Sequence, residues 1–187
     1  MPNLRDERED EILSATLTLI ATRGIDAVSM ANVAEATGLS RPALYQYFAS
    51  KEDLLAELVI NEMADLSNEI DARVAGFEDP LEQIRIWVHY SLAHLSGADH
   101  RAIREISFDR LPTEKRGMLS AMHGHFMLTL LSPLKAMGLK DPTPTAHMIF
   151  AAVSTAAKRI DEGSEFVREA AALEAFAMAG ITGAQTS

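Results

Sequence analysis

A short segment in the first third of the chain carries side chains that can recognise the bases of DNA. Leu39, Leu44 and Phe48 are spaced to bury one face of a short helix. The side chains left facing outward are those of Arg41, Pro42, Ala43, Gln46 and Tyr47. Arginine forms two hydrogen bonds with guanine and glutamine does the same with adenine, while small apolar groups suit the methyl group of thymine. These residue types predict base-specific contacts with DNA.

The residues around this segment predict a helix-turn-helix. Ser29 is a suitable N-cap for a helix that ends before Gly38, and glycine can adopt the left-handed conformation of a tight turn. Ser40 caps the next helix, at 41–48, and Pro42 lies in its first turn, where the missing N–H costs nothing. Two short helices joined by a three-residue turn that contains glycine are typical of DNA-binding helix-turn-helix motifs.

The run from Met30 to Leu55 resembles the DNA-binding signature of the TetR family of transcriptional regulators. Its most specific part is Leu-Tyr-x-x-Phe-x-x-Lys-x-x-Leu at 44–54, and Gly-Ile-Asp-Ala-Val-Ser-Met at 24–30 is similar to the segment that precedes the family's second helix. The resemblance implies that Tyr45 and Lys51 hold DNA phosphates, and Lys51 also begins a helix, where backbone N–H groups favour an anion. The expected DNA-binding residues are Ser40, Arg41, Pro42, Ala43, Tyr45, Gln46, Tyr47 and Lys51.

The whole chain is expected to be helical. Glycine and proline divide it into segments of helical length, in which apolar residues recur with a period near 3.6. The predicted helices cover about residues 7–23, 29–37, 41–48, 50–73, 80–96, 99–111, 113–137, 143–161 and 164–179, with a frayed tail at 180–187. With the resemblance, this pattern predicts an all-α fold. Residues 1–52 would form a three-helix helix-turn-helix DNA-binding domain, and residues 53–187 a larger helical ligand-binding and dimerisation domain.

The later helices mix methionine and histidine with aromatic residues. Methionine adapts to irregular volumes, and a few polar groups among apolar walls are typical of a ligand pocket. The resemblance implies a pocket among the fifth to eighth helices, so we expect a small, largely apolar effector with one or two hydrogen-bonding groups. Simple core packing is the alternative for each residue. The expected effector-binding residues are Trp87, Tyr90, Phe108, Met122, His125 and Phe126.

The last two predicted helices are rich in alanine and carry long apolar stripes. Small side chains allow close approach between helices, and the stripes need a cover that one chain lacks. We therefore expect a homodimer, and its two-fold symmetry predicts a near-palindromic operator on double-stranded DNA. The expected interface residues are Phe150, Val153, Ala157, Leu173, Phe176 and Ala177.

Composition argues against several other classes of protein. The 187 residues include no cysteine, which excludes disulfides, thiolate nucleophiles and cysteine-bound metals. The histidine pairs 89/94 and 123/125 do not share a helix face well, and no phosphate loop, nucleophile elbow or paired-carboxylate pattern occurs. We expect no metal, no cofactor and no enzymatic activity.

We find no apolar signal-peptide core and no run of about 18 apolar residues, so we expect a cytoplasmic protein with no membrane partner.

The charge balance leaves one alternative open. The formal net charge is −10, and residues 1–55 hold five basic and nine acidic residues, whereas DNA-binding domains are more often basic. Nonspecific attraction to DNA should be weak, so base contacts and dimer geometry must supply more of the affinity. We expect a repressor that a ligand releases from its operator. The alternative is a helical binding or adaptor protein that does not bind DNA.

Overall fold

The computed structural model describes residues 4–185, and the side chains from Glu7 onward. Within that range the chain forms α-helices and no strand, which confirms the predicted all-α class. The helices are α1 (Leu4–Arg23), α2 (Met30–Thr37), α3 (Arg41–Leu44), α4 (Lys51–Val74), α5 (Pro80–Leu95), α6 (Ala98–Ile103), α7 (Thr113–Ala136), α8 (Thr143–Asp161) and α9 (Phe166–Gln185). None of the helices in the described part is long and apolar enough to cross a membrane.

The described chain packs into two compact units. The first comprises the residues up to 63 together with 98–120, and the second comprises 64–97 and the residues from 121 onward. Helices α4 and α7 contribute residues to both units. These units are defined by packing, so the predicted division into domains at residue 52 stays a prediction.

The first unit is built around α1, which packs against α2 and α6. The predicted caps are present: the Ser29 hydroxyl accepts a hydrogen bond from the Asn32 N–H at 3.1 Å, and the Ser40 hydroxyl accepts one from the Ala43 N–H at 3.3 Å. Gly38 ends α2 with φ of 66°, a left-handed conformation that glycine adopts without strain. Buried side chains from α1, α2, α3, the turn after α3 and α4 contribute to the interior: Ile12, Ile20, Val33, Leu44, Phe48 and Leu54.

Two predicted helices are shorter than expected. Helix α3 ends at Leu44 instead of Phe48, because the Gln46 and Tyr47 N–H groups bond to carbonyls three residues back and tighten the chain into a turn. Helix α6 ends at Ile103, and the predicted segment at 99–111 continues as turns and a separate 3₁₀ turn at Phe108–Arg110. Both predictions were wrong in length because periodicity does not report this tightening at a helix end.

The second unit contains the larger apolar core, in which α5, α8 and α9 pack against one another. Helix α9 continues to Gln185, so the predicted fraying at 180–185 is wrong. Ile181 is buried there, and the Gln185 side-chain amide donates to the Met137 carbonyl at 2.7 Å, which fixes the end of the helix. The last two residues of the predicted tail, 186 and 187, lie outside the described residues.

Candidate functional site

The expected DNA-reading side chains lie together on the first unit. Leu44 and Phe48 are buried, so they anchor α3 and the turn that follows it. Arg41 and Gln46 are exposed as a consequence. Ser40, Pro42 and Tyr45 are also exposed, and Ala43 and Tyr47 are partly exposed. The segment therefore presents a guanidinium, an amide and small apolar groups to solvent, which is the chemistry that base recognition needs. Their contact with DNA stays a prediction.

Lys51 lies at the start of α4, where the chain forms a reciprocal cap. The Ser50 hydroxyl accepts from the Asp53 N–H and the Asp53 carboxylate accepts from the Ala49 N–H, both at 3.0 Å. The Lys51 ammonium is partly buried and donates to the Ile25 carbonyl at 3.5 Å, while the Ile25 N–H donates to the Glu105 carboxylate at 3.2 Å. The ammonium is thus held at the Ile25 carbonyl by a long hydrogen bond, and its contact with a phosphate stays a prediction.

Two of the expected effector residues are core residues of the second unit. Trp87 and Phe126 are buried with their ring centroids 5.0 Å apart, and the Trp87 indole N–H donates to the Thr129 hydroxyl at 2.8 Å. These contacts supply the packing and hydrogen bond that a buried tryptophan needs. Within the single chain, Trp87 and Phe126 therefore have the contacts of core residues, which is the alternative that the sequence left open.

The other expected effector residues have different surroundings. Tyr90 lies under the Arg73 guanidinium, 3.8 Å from the ring centroid, and His125 is exposed with its Nε2 3.5 Å from the Asp71 carboxylate. Met122 is half-buried on α7. Phe108 is exposed and belongs to the first unit. The structure therefore brings five of the six residues into one unit and does not place Phe108 with them. Their role in binding a ligand stays a prediction.

His123 belongs to the same aromatic group, although the sequence reasoning did not select it. Its ring contacts Phe150 edge-on at 5.3 Å and Phe126 at 6.4 Å between centroids. Burial lowers the pKa of His123 below its usual value, and the nearby His147 lowers this pKa further. The signal was present in the sequence, since His123 precedes Phe126 by three residues and so shares a helix face with it.

This lowered pKa predicts a pH dependence of stability. In the unfolded chain the His123 imidazole takes up a proton with the ordinary pKa near 6.5, whereas in the folded chain it does so only at lower pH. The free energy of unfolding should therefore fall as the pH drops from about 7 through the lowered pKa. We expect His123→Phe to flatten this part of the curve of denaturation midpoint against pH. His125→Gln, which removes an exposed histidine from the same helix, is the control. Equal slopes for His123→Phe and wild type would contradict the prediction.

The expected interface residues are largely covered by their own chain. Val153, Ala157, Leu173 and Ala177 are buried where α8 packs against α9, and Phe150 packs 5.9 Å from Phe126. Phe176 alone among the six is largely exposed, at 52%. It lies beside a groove of about 440 Å³ whose other apolar walls come from Met148, Ala151, Ala152, Ala156, Ala172 and Leu173. The interface set stays a prediction.

Comparison with known proteins gives a family match in the first third of the chain. Residues 12–58 match the sequence model of "Bacterial regulatory proteins, tetR family". The chain is 31% identical over 108 residues to the HTH-type transcriptional regulator AcrR of Shigella flexneri, a match that covers 56% of this chain and 49% of AcrR. The chain thus spans about half the length of this curated relative.

Solved structures match over nearly the whole chain. A TetR family protein from Vibrio parahaemolyticus is 26% identical with a TM-score of 0.72, and the match covers 92% of this chain and 96% of that one. AibR, solved in complex with isovaleryl coenzyme A and operator DNA, is 20% identical with a TM-score of 0.76, covering 90% and 97%. These matches confirm the resemblance that the recognition segment carries: residues 12–58 match the sequence model of the tetR family, and the chain shares the fold of solved TetR family proteins.

Proposed function

We propose that the protein is a transcriptional repressor that binds a near-palindromic operator as a homodimer and leaves it when a small effector binds. The observation that carries this proposal is the exposed pair Arg41 and Gln46 on a segment anchored by the buried Leu44 and Phe48. A helix held rigidly on one side can present a bidentate donor to a base without paying for its own ordering.

The acidic surface of the first unit is consistent with a specific rather than a nonspecific DNA-binding protein. Glu7, Asp10 and Glu11 on α1 are exposed, so the unit gains little from long-range attraction to the phosphates. Affinity must then come from short-range contacts at a matching sequence. We infer that the protein discriminates strongly between its operator and other DNA, at the cost of a slower search.

The exposed apolar surface of α8 and α9 supports a second copy as partner. Met148 is 57% exposed and Phe176 is 52% exposed, and small alanines lie between them along the groove. Large apolar side chains beside small ones are suited to interdigitating helices. Two copies joined by a two-fold axis would present their recognition helices to half-sites at least one turn apart, about 34–36 Å.

A small molecule with an apolar portion is the proposed effector. Supporting this, the partly exposed Tyr90 packs against the apolar core of the second unit, and the exposed His125 lies on α7, the helix that carries Phe126. AibR was solved with isovaleryl coenzyme A, so acyl thioesters of coenzyme A are the class to test first. Binding in the second unit would favour a conformation in which the recognition segments no longer match both half-sites.

A gel shift with DNA that flanks the protein's own gene tests the DNA-binding part. We expect a shifted band that survives excess unrelated DNA and is competed away by the same fragment. A helical adaptor protein would give no shift with any fragment, and an enzyme would be recognised by turnover of a candidate substrate without an operator.

Release of the operator by an effector predicts reciprocal coupling between effector binding and operator binding. Isovaleryl coenzyme A and its longer-chain analogues are titrated into the protein by calorimetry, with and without operator DNA. Operator should weaken binding of the active analogue by about 5- to 150-fold, and that analogue should weaken operator binding by the same factor. Equal affinity in both conditions for every analogue that binds would rule out release from the operator as the mechanism.

A further inference from the structure

Arg8 is a basic residue among acidic ones, and its guanidinium contacts a residue that is distant in the sequence. It lies on α1 between Glu7 and Glu9, and its Nη1 forms an ion pair with Glu11 one turn later. Its Nη2 donates to the carbonyl oxygen of Thr37 at 3.1 Å, across 29 positions of sequence. An arginine that served only to balance its acidic neighbours would not need this second bond.

The Thr37 carbonyl lies at the C-terminal end of α2. The last carbonyls of a helix have no partner within the helix and carry its negative partial charge. The Gly38 and Leu39 N–H groups bond to carbonyls of Ala34 and Glu35, further back in α2. Arg8 supplies the Thr37 carbonyl with a charge-assisted hydrogen bond, which is stronger than a neutral one.

The position of this bond links Arg8 to the recognition segment. Thr37 is followed by the turn at Gly38 and Leu39, then by the cap Ser40 and by α3. Fixing the end of α2 against α1 therefore fixes the point from which the turn departs. We propose that Arg8 is a positioning residue for DNA recognition, which sets the angle of α3 without touching DNA. This inference rests on the proposed DNA-binding function.

Direct contact between Arg8 and a phosphate is the competing explanation, and the contacts argue against it. Both terminal nitrogens of the guanidinium are engaged, one by Glu11 and one by Thr37. The Glu11 carboxylate that pairs with Arg8 would also repel a phosphate at this point. A phosphate contact would also require Arg8 to give up the bond to the helix end.

The test compares specific with nonspecific binding at several salt concentrations. Wild type and Arg8→Ala are titrated with an operator obtained by selection from random duplex DNA, and with an unrelated duplex of equal length. Positioning predicts that Arg8→Ala loses about tenfold or more in operator affinity, keeps its affinity for the unrelated duplex, and keeps the wild-type salt slope. Glu11→Ala, which removes the local partner and leaves the bond to Thr37, is the matched control and should bind operator as wild type does.

Two results would overturn the inference. One is operator binding by Arg8→Ala as tight as that of wild type. The other is an equal loss of affinity for both duplexes with a salt slope lower by about one unit, which is the behaviour of a phosphate contact. If Arg8→Ala does not fold, Arg8→Lys replaces it: positioning predicts that Arg8→Lys binds operator less tightly than wild type but binds the unrelated duplex equally well, and a phosphate contact predicts wild-type affinity for both. Failure of wild type to bind operator would instead reject the proposed function.

Discussion

Replacing Arg41 with alanine should weaken operator binding by about 5- to 150-fold, the equivalent of 1–3 kcal/mol, and relax the preference at one base pair in each half-site. Arg41 is exposed at the start of α3, and Leu44 buries the opposite side of that helix, so the substitution removes a base contact and leaves the fold intact. Equilibrium binding to the operator and to single-base variants measures both effects.

Lys51→Ala is the matched control for this prediction. Lys51 is expected to hold a phosphate, so its loss should weaken all sequences about equally and lower the salt slope by about one unit per site. The two variants therefore separate reading of bases from attraction to the backbone. Unchanged affinity and unchanged base preference in Arg41→Ala would show that α3 is not the recognition helix.

Replacing Phe176 with aspartate should convert the protein to monomers. Phe176 projects from α9 beside the groove that α8 and α9 form, and a buried carboxylate at a two-fold interface would face its own copy. Losing one of the two half-site contacts should reduce operator affinity by about 100-fold or more. Light scattering gives the mass, and the same operator titration gives the affinity.

Val167→Asp provides the control on the same helix. Val167 is 77% exposed on α9 and does not line the groove, so it should leave both the dimer and operator binding unchanged. Ala157, also in the expected interface, is a poor position for this test, because it is buried between α8 and α9 of one chain and a charged side chain there would disrupt the core. A dimer of unchanged mass in Phe176→Asp would remove this surface from the interface.

Local signals in the sequence predicted the helix starts of the first half well. Ser29 and Ser40 cap α2 and α3, and each accepts the expected hydrogen bond from the backbone N–H three residues later. Gly38 adopts the expected left-handed conformation. These features depend on a few adjacent residues, so a single sequence carries the information that determines them.

The sequence did not predict which face of α8 and α9 is buried. Helices α8 and α9 carry alanine on several faces, so periodicity does not distinguish Ala157, which is buried in the chain, from Ala151, which is exposed. The choice depends on the partner helix. For the same reason the pattern did not predict that Phe150 packs with Trp87 and Phe126 in an aromatic cluster of its own chain. Tertiary packing decides both outcomes.

Long-range contacts were also beyond the sequence pattern. The segment after α6 belongs to the first unit, where Glu105 bonds to the Ile25 N–H 80 positions earlier. Phe108 follows Glu105 by three residues and belongs to that unit too. A period of 3.6 records one helix at a time and carries no information about such pairings.

Selection of bound sequences from random double-stranded DNA tests most directly whether this chain recognises DNA as a dimer. The full chain is incubated with a random duplex library at moderate salt, bound molecules are amplified, and the enriched sequences are aligned. Sequence-specific binding by a two-fold dimer predicts one near-palindromic motif whose half-site centres are at least one helical turn apart. Recovery of sequences with no shared motif, after the same number of rounds that enrich a known operator for a control protein, would contradict it.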